Sequence, residues 1–109
     1  MKPKPKRADI VIIGGGLSGI SSAIAASREG TTVALVESLD EWGGSTGEFT
    51  QMPVDSPSTS NEIFFRESGI FEEIISHLRL DNQDGTYAGQ SRALTTLLKS
   101  EPKISTFLG

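Results

Sequence analysis

The sequence predicts an α/β fold built on a parallel β-sheet. The first observation is "DIVII" at residues 9–13, a continuous apolar run rich in the β-branched side chains typical of a strand covered on both faces. The second is "TVALVE" at residues 32–37, which follows an alanine-rich stretch with apolar residues at helical spacing. A strand, helix, strand unit of this length joins two parallel strands through a right-handed crossover.

Helical spacing of apolar residues predicts three helices. The first covers residues 17–29, with Gly30 as its C-terminal cap. The second covers about residues 68–80, where apolar residues form one stripe. The third covers about residues 88–100 and ends before Pro102.

The remaining segments divide into a third strand, a long loop and a leader. "KISTFLG" at 103–109 is predicted to be the strand. Residues 38–66 lack periodicity, and a loop of that length is usually functional or disordered. Alternating Lys and Pro in "MKPKPKR" cannot pack a core, so we predict a basic disordered leader over residues 1–8, followed by the N-terminal part of one domain over residues 9–109.

Composition excludes several classes of function. The 109 residues include no cysteine and one histidine, which excludes a disulfide framework, a thiol nucleophile and a multi-histidine metal site. The net charge is −4 although the first seven residues carry +4, so the rest is strongly acidic and no nucleic-acid partner is expected. No stretch approaches a membrane span, no membrane partner is expected, and we interpret the protein as cytoplasmic.

The loop after the first predicted strand contains G-x-G-x-x-G as Gly14, Gly16 and Gly19. This hexapeptide alone is a weak signal, but here it follows a strand, opens a helix and precedes Glu37 at the end of the next strand. Those are the structural conditions of a dinucleotide-binding fingerprint. The alternative is an ordinary glycine turn, with Glu37 as a solvated charge at the end of a strand.

Each position of the fingerprint has a physical task. Gly14 permits a tight turn, Gly16 removes a Cβ from the path of a pyrophosphate, and Gly19 lets the helix approach the strand. The unpaired N–H groups of the first helical turn favour phosphate. Glu37 can accept both hydroxyl hydrogens of an adenosine ribose and would repel a 2′-phosphate, which disfavours NADP.

The segment "DIVIIGGGLSGISSAIAASREGTTVALVE" resembles the N-terminal signature of FAD-dependent oxidoreductases with the glutathione-reductase type of Rossmann domain. That family also tends to place a second glycine pair soon after the glutamate, matched by Gly43 and Gly44 in "EWGGST". In the family this loop passes under the pyrophosphate and ribityl chain, which favours FAD over NAD. Ser45 and Thr46 would supply hydroxyls there.

The resemblance implies a Rossmann-like three-layer FAD-binding fold with a parallel sheet, incomplete in this chain. It implies an FAD-dependent oxidoreductase acting on a small-molecule substrate, with catalytic residues outside this segment. Because the family's later Gly-Asp motif and substrate domain are missing, we expect an N-terminal fragment that alone aggregates or packs loosely and does not retain FAD. The residues expected to bind the cofactor are Gly14, Gly15, Gly16, Leu17, Ser18, Gly19, Glu37, Ser38, Gly43, Gly44, Ser45 and Thr46.

Two other functions fit the same residues. An NAD-binding dehydrogenase segment shares the fingerprint up to Glu37, and a nucleotide-binding module without catalysis would also contain it. Trp42 either covers the adenosine or fills the loop, and we favour the second. His77 is expected to lie partly exposed without a chemical role.

Overall fold

The computed structural model describes residues 6–54 and 68–109, and these form one parallel sheet with helices. Residues 1–5 of the predicted leader and 55–66 of the predicted loop lie outside the described part. The predicted α/β class is confirmed, and every predicted helix and strand agrees with an observed one to within two residues at each end. The elements are β1 (Ile10–Ile13), α1 (Leu17–Arg28), β2 (Val33–Glu37), α2 (Ile70–Asp81), α3 (Tyr87–Lys99) and β3 (Ile104–Leu108), with a 3₁₀ helix at Gly44–Thr46.

The three strands lie in the order β1-β2-β3, and both neighbouring pairs are parallel. Ile13 pairs with Val36, and Glu37 pairs with Leu108, so all three strands end at the same edge of the sheet. Within the described residues β1 pairs only with β2, which leaves its other backbone edge unpaired there. Loops that follow β1 and β2 therefore meet at one edge.

One face of the sheet packs against the helices and forms the core. Val33 and Leu35 point to this face and are at most 1% exposed. Burial of apolar side chains such as these is the main favourable contribution to folding. The helices supply the other large aliphatic side chains that are fully buried, which are Ile20, Ile24, Ile74, Leu94 and Leu98.

The opposite face of the sheet is open among the described residues. Val11, Val36 and Phe107 line a cleft of about 410 Å³ there, and the ammonium of Lys6 lies 5.0 Å from the centroid of the Phe107 ring. Val11 is 61% exposed, so the cover expected on both faces of β1 is found on one face only. The described residues thus supply the sheet layer and one helix layer of the predicted fold.

The end of α1 follows the sequence prediction. Gly30 has a φ of 98°, the left-handed conformation that favours glycine, and its N–H donates to the carbonyl of Ser27 at 3.1 Å. Arg28, in the last turn, forms ion pairs with Glu73 of α2 at 2.8 Å and with Glu101 at 2.9 Å. These contacts fix α1 to α2 and to the segment before β3.

Replacing Leu94 with alanine tests this core. Leu94 is fully buried among helix and strand side chains, so Leu94→Ala should lower the free energy of unfolding by about 2–5 kcal/mol. Leu80 is 70% exposed on α2, and Leu80→Ala should change the free energy of unfolding by less than about 0.5 kcal/mol. Urea unfolding of both variants in the full-length protein makes the comparison, and equal effects would contradict the described packing.

Candidate dinucleotide-binding site

The first glycine loop, residues 14–16, follows β1 at the carboxyl edge of the sheet. Gly14 has a φ of 115°, at which the backbone of a residue with a side chain would be strained. Its N–H donates to the carbonyl of Val36 at 2.7 Å. The tight turn predicted at Gly14 is confirmed. It redirects the chain from the strand into α1, whose N-cap is Gly16.

Gly19 lies in the first turn of α1, against the loop. A Cβ at this position would overlap the carbonyl oxygen of Gly14 and lie 3.7 Å from a methyl carbon of Ile12. The predicted close approach of helix and strand therefore depends on glycine here. A larger residue would push α1 away from the end of β1.

Gly16 differs from its neighbours because the protein itself does not require glycine there. Its φ is −73°, an ordinary value, and among the described residues a Cβ would meet only the Cα of Gly44, at 3.8 Å. The missing side chain leaves an open space beside the start of α1. That space is available to a ligand that approaches the backbone.

The N-terminus of α1 favours an anion. No side chain caps the helix, and its first turn contains no acidic residue. The first N–H groups of an α-helix, here including those of Ser18 and Gly19, have no acceptors within the helix and form the positive end of its dipole. Together with the open space at Gly16, this end of the helix is suited to phosphate oxygens.

Glu37 ends β2 and its carboxylate connects the two strand ends. Oε1 accepts the Gly15 N–H at 2.9 Å, and Oε2 accepts the Leu39 N–H at 2.8 Å and the Ser38 hydroxyl at 3.3 Å. The Leu39 and Gly15 hydrogen bonds hold the pKa of Glu37 below its ordinary value. A carboxylate offers about four acceptor positions, so capacity for a further donor remains on it.

The second glycine loop, residues 43–47, lies directly against the first. Gly43 and Gly44 have φ values of 115° and 57°, and the Gly43 N–H donates to the carbonyl of Gly15 at 2.9 Å. A Cβ on Gly44 would lie 3.0 Å from the Cα of Gly16, so the two backbones touch. The structure thus brings both predicted glycine motifs together at one edge of the sheet.

Trp42 fills the interior of this edge. Its side chain is 1% exposed, and a Cβ on Gly15 would overlap its six-membered ring. Its backbone N–H donates to the hydroxyl of Ser91 at 2.8 Å. The prediction that Trp42 fills the loop is confirmed, and the ring explains why residue 15 is also glycine.

The predicted hydroxyl groups have different surroundings. The Thr46 hydroxyl donates to the carbonyl of Gly43 at 2.7 Å and accepts from Nε2 of Gln90 at 2.7 Å. Ser45 is exposed, and its hydroxyl has no hydrogen-bond partner among the residues described. Ser45 is therefore free to bind a ligand, whereas Thr46 already serves the loop.

Three residues that shape the second loop were not predicted from the sequence. Gln90 and Ser91 reach it from α3, and Glu41 accepts the N–H groups of Glu48 and Phe49 at 3.0 and 2.9 Å. Gln90 and Ser91 lie more than forty positions beyond the loop, without a local motif to mark them. Only the docking of α3 against the loop reveals their role.

Other kinds of site find no support in the part of the chain that the structure describes. No group of three potential metal-ligating side chains occurs in residues 6–54 and 68–109, and no helix there is long and apolar enough to span a membrane. His77 lies on α2, half-buried, with Nε2 2.8 Å from Oδ2 of Asp81 and 3.1 Å from the carbonyl oxygen of Ala93. It contacts no residue of either glycine loop.

Comparison with known proteins decides the family. The family model for FAD dependent oxidoreductases matches residues 9–106, nearly the whole described sheet and all three helices. The chain belongs to the FAD-dependent oxidoreductase family. This membership identifies FAD as the cofactor, in agreement with the second glycine pair.

One relative of this FAD-dependent oxidoreductase segment is the NADH:fumarate oxidoreductase of Klebsiella pneumoniae (strain 342). The two are 33% identical over 73 residues, which are 59% of this chain and 8% of the relative. The chain thus spans a small part of the length of that protein.

The pKa of Glu37 predicts a pH dependence of stability. A depressed pKa means that the ionised group stabilises the fold above its ordinary pKa, and that this contribution is lost as pH falls through the folded-state pKa. Glu37→Gln lacks the charge, so the wild type should be more stable than the variant near pH 7, and the difference should shrink in acid. The free energies of unfolding of the cofactor-free full-length wild type and variant, measured from neutral to acid pH, give this difference in stability.

Glu29→Gln is the matched control for this pH series. Glu29 is exposed, and its side chain has no hydrogen bond or ion pair with another described residue. The difference between this control and the wild type should stay small throughout. A Glu37→Gln difference that does not change with pH would contradict the described hydrogen bonds.

Proposed function

We propose that this segment binds the ADP part of FAD in a larger oxidoreductase. The observation that supports it most is the open space at Gly16, where glycine serves neither the backbone conformation nor the packing of the described residues. The proposed cofactor-binding residues are those predicted from the sequence, which now form one continuous edge: Gly14, Gly15, Gly16, Leu17, Ser18, Gly19, Glu37, Ser38, Gly43, Gly44, Ser45 and Thr46.

The pyrophosphate is proposed to lie beside Gly16, at the start of α1. Backbone N–H groups there need acceptors, and the helix dipole favours negative charge. Gly44 borders the same space from the second loop. Because neither Gly16 nor Gly44 has a side chain, an anion can approach both backbones. An ordinary glycine turn would not need a second glycine facing it.

The adenosine ribose is proposed to bind at Glu37. Its carboxylate is held in place by the Gly15 and Leu39 amides, so it does not have to be ordered when the ligand arrives. The acceptor capacity that remains beyond the Gly15, Leu39 and Ser38 hydrogen bonds suits a hydroxyl donor. The same charge opposes a 2′-phosphate at this position.

FAD supplies the hydride chemistry when it is bound, and the described residues supply binding and orientation. We propose oxidoreductase activity for the whole protein, with a small-molecule substrate handled by residues beyond this segment. The name of the Klebsiella relative suggests NADH as the first electron donor to assay and fumarate as the first acceptor. A cytoplasmic location stays a prediction from the sequence.

Gly16→Ala tests the proposed pyrophosphate position. The added Cβ has room within the protein, since its nearest neighbour is 3.8 Å away, but it would occupy the ligand's space. The purified full-length variant should contain much less flavin than the wild type, by the ratio of visible to ultraviolet absorbance, while its cofactor-free form unfolds as the wild type does. Heat-released cofactor identified as flavin, and not nicotinamide, completes the test.

Ala25→Val, on the exposed surface of α1, is the control for Gly16→Ala because it also enlarges a small residue of the same helix. It should retain full flavin occupancy. Full occupancy in Gly16→Ala as well would refute the assigned pyrophosphate position.

Glu37→Gln tests the proposed ribose position. The neutral amide accepts hydroxyl hydrogens more weakly and places an NH₂ group opposite one of the two amides that the carboxylate binds. FAD affinity of the cofactor-free full-length protein should fall by about 1–3 kcal/mol in a binding titration. An unchanged dissociation constant would remove Glu37 from the site.

A further inference from the structure

Helix α3 contacts the second glycine loop through two adjacent side chains. Nε2 of Gln90 donates to the backbone carbonyl of Thr46 at 3.1 Å and to its hydroxyl at 2.7 Å. The Ser91 hydroxyl accepts the Trp42 N–H at 2.8 Å, at the start of the same loop. Both ends of the loop segment are thus held by one helix.

The contact made by Gln90 extends to the first glycine loop through hydrogen bonds in series. The Thr46 hydroxyl donates to the Gly43 carbonyl at 2.7 Å, and the Gly43 N–H donates to the Gly15 carbonyl at 2.9 Å. Gln90 also lies close to Gly43, since a Cβ there would be 3.4 Å from its Nε2. The side-chain amide therefore fixes the second loop relative to the first.

The loop depends on such a contact because its own backbone is permissive. Glycine loses more conformational freedom on ordering than any other residue, and Gly43, Gly44 and Gly47 lie within five positions. Among the described residues, the hydrogen bonds of the Gln90 side chain all go to Thr46, and none goes to the core. Its removal should therefore loosen this loop while the helices and sheet stay packed.

We propose that Gln90 is a positioning residue for the cofactor. It holds the second glycine loop at the spacing from Gly16 that a bound dinucleotide requires, and it does so through Thr46 without touching the ligand. This inference rests on the proposed function of the two glycine loops. It assigns to α3 a role in cofactor affinity that neither glycine motif predicts.

The test uses the full-length protein freed of its flavin and titrated with FAD. Gln90→Ala should raise the dissociation constant about tenfold, the effect expected for losing one or two hydrogen bonds that order the site. Gln90→Glu keeps the length of the side chain but has no NH₂ donor, so it should fold and show a similar loss. The circular dichroism of the bound flavin at saturating FAD should change in both, a signal that a general loss of stability does not alter.

Gln83→Ala is the matched control. Gln83 is exposed and donates from the same amide group to the carbonyl of Leu80, away from both loops. This variant should bind FAD as the wild type does. Equal losses of affinity in the Gln83 and Gln90 variants would overturn the inference.

Gly16→Ala in the same titration separates this inference from the proposed function. Weakened FAD binding in Gly16→Ala with wild-type binding and flavin dichroism in both Gln90 variants would overturn the role of Gln90 alone. Wild-type binding in all of them would overturn the proposed function as well. Unfolding of the cofactor-free Gln90 variants at the wild-type midpoint, with weakened binding, is the result that the inference predicts.

Discussion

The hydrogen bond between the Gly15 amide and the Glu37 carboxylate is the interaction on which the candidate site depends. It spans 2.9 Å and joins the loop after β1 to the end of β2. Parallel pairing of Ile13 with Val36 already brings these two loops to the same edge. The carboxylate then fixes their relative position, and its second oxygen holds the chain at Leu39 as it leaves the sheet.

The rest of the edge is built outward from that contact. Gly14 turns the chain, Gly19 lets α1 approach, and the Trp42 ring occupies the space beside Gly15. Each of these glycines has a reason inside the protein. No described residue requires glycine at position 16, and this contrast within one short motif is the reason for proposing that Gly16 serves a ligand.

Much of this arrangement can be predicted from the sequence because its causes are local. Apolar spacing determined the helices and strands to within two residues at each end, and the interval between Gly14, Gly19 and Glu37 predicted where a strand, a turn and a helix meet. The second glycine pair was found by family resemblance, and the structure places it against the first.

What the sequence did not predict depends on contacts between distant segments. Gln90 and Ser91 have no motif, since a glutamine and a serine on a helix are ordinary surface residues until the helix docks on a particular loop. Family resemblance implies a hydroxyl from Thr46 in this loop, and it gives no sign that α3 supplies a partner for that hydroxyl. The open sheet face is a further case. An apolar run such as β1 predicts a buried strand, but it does not indicate which part of the protein buries each face.

A crystal structure of the full-length protein with bound FAD would test the proposed positions of the pyrophosphate and the ribose. We expect pyrophosphate oxygens within about 3.2 Å of the backbone nitrogens at the start of α1, next to Gly16, and ribose hydroxyls within the same distance of the Glu37 carboxylate. Glu37 should keep its hydrogen bond from the Gly15 amide. A pyrophosphate bound away from Gly16, or a ribose that makes no contact with Glu37, would contradict the account.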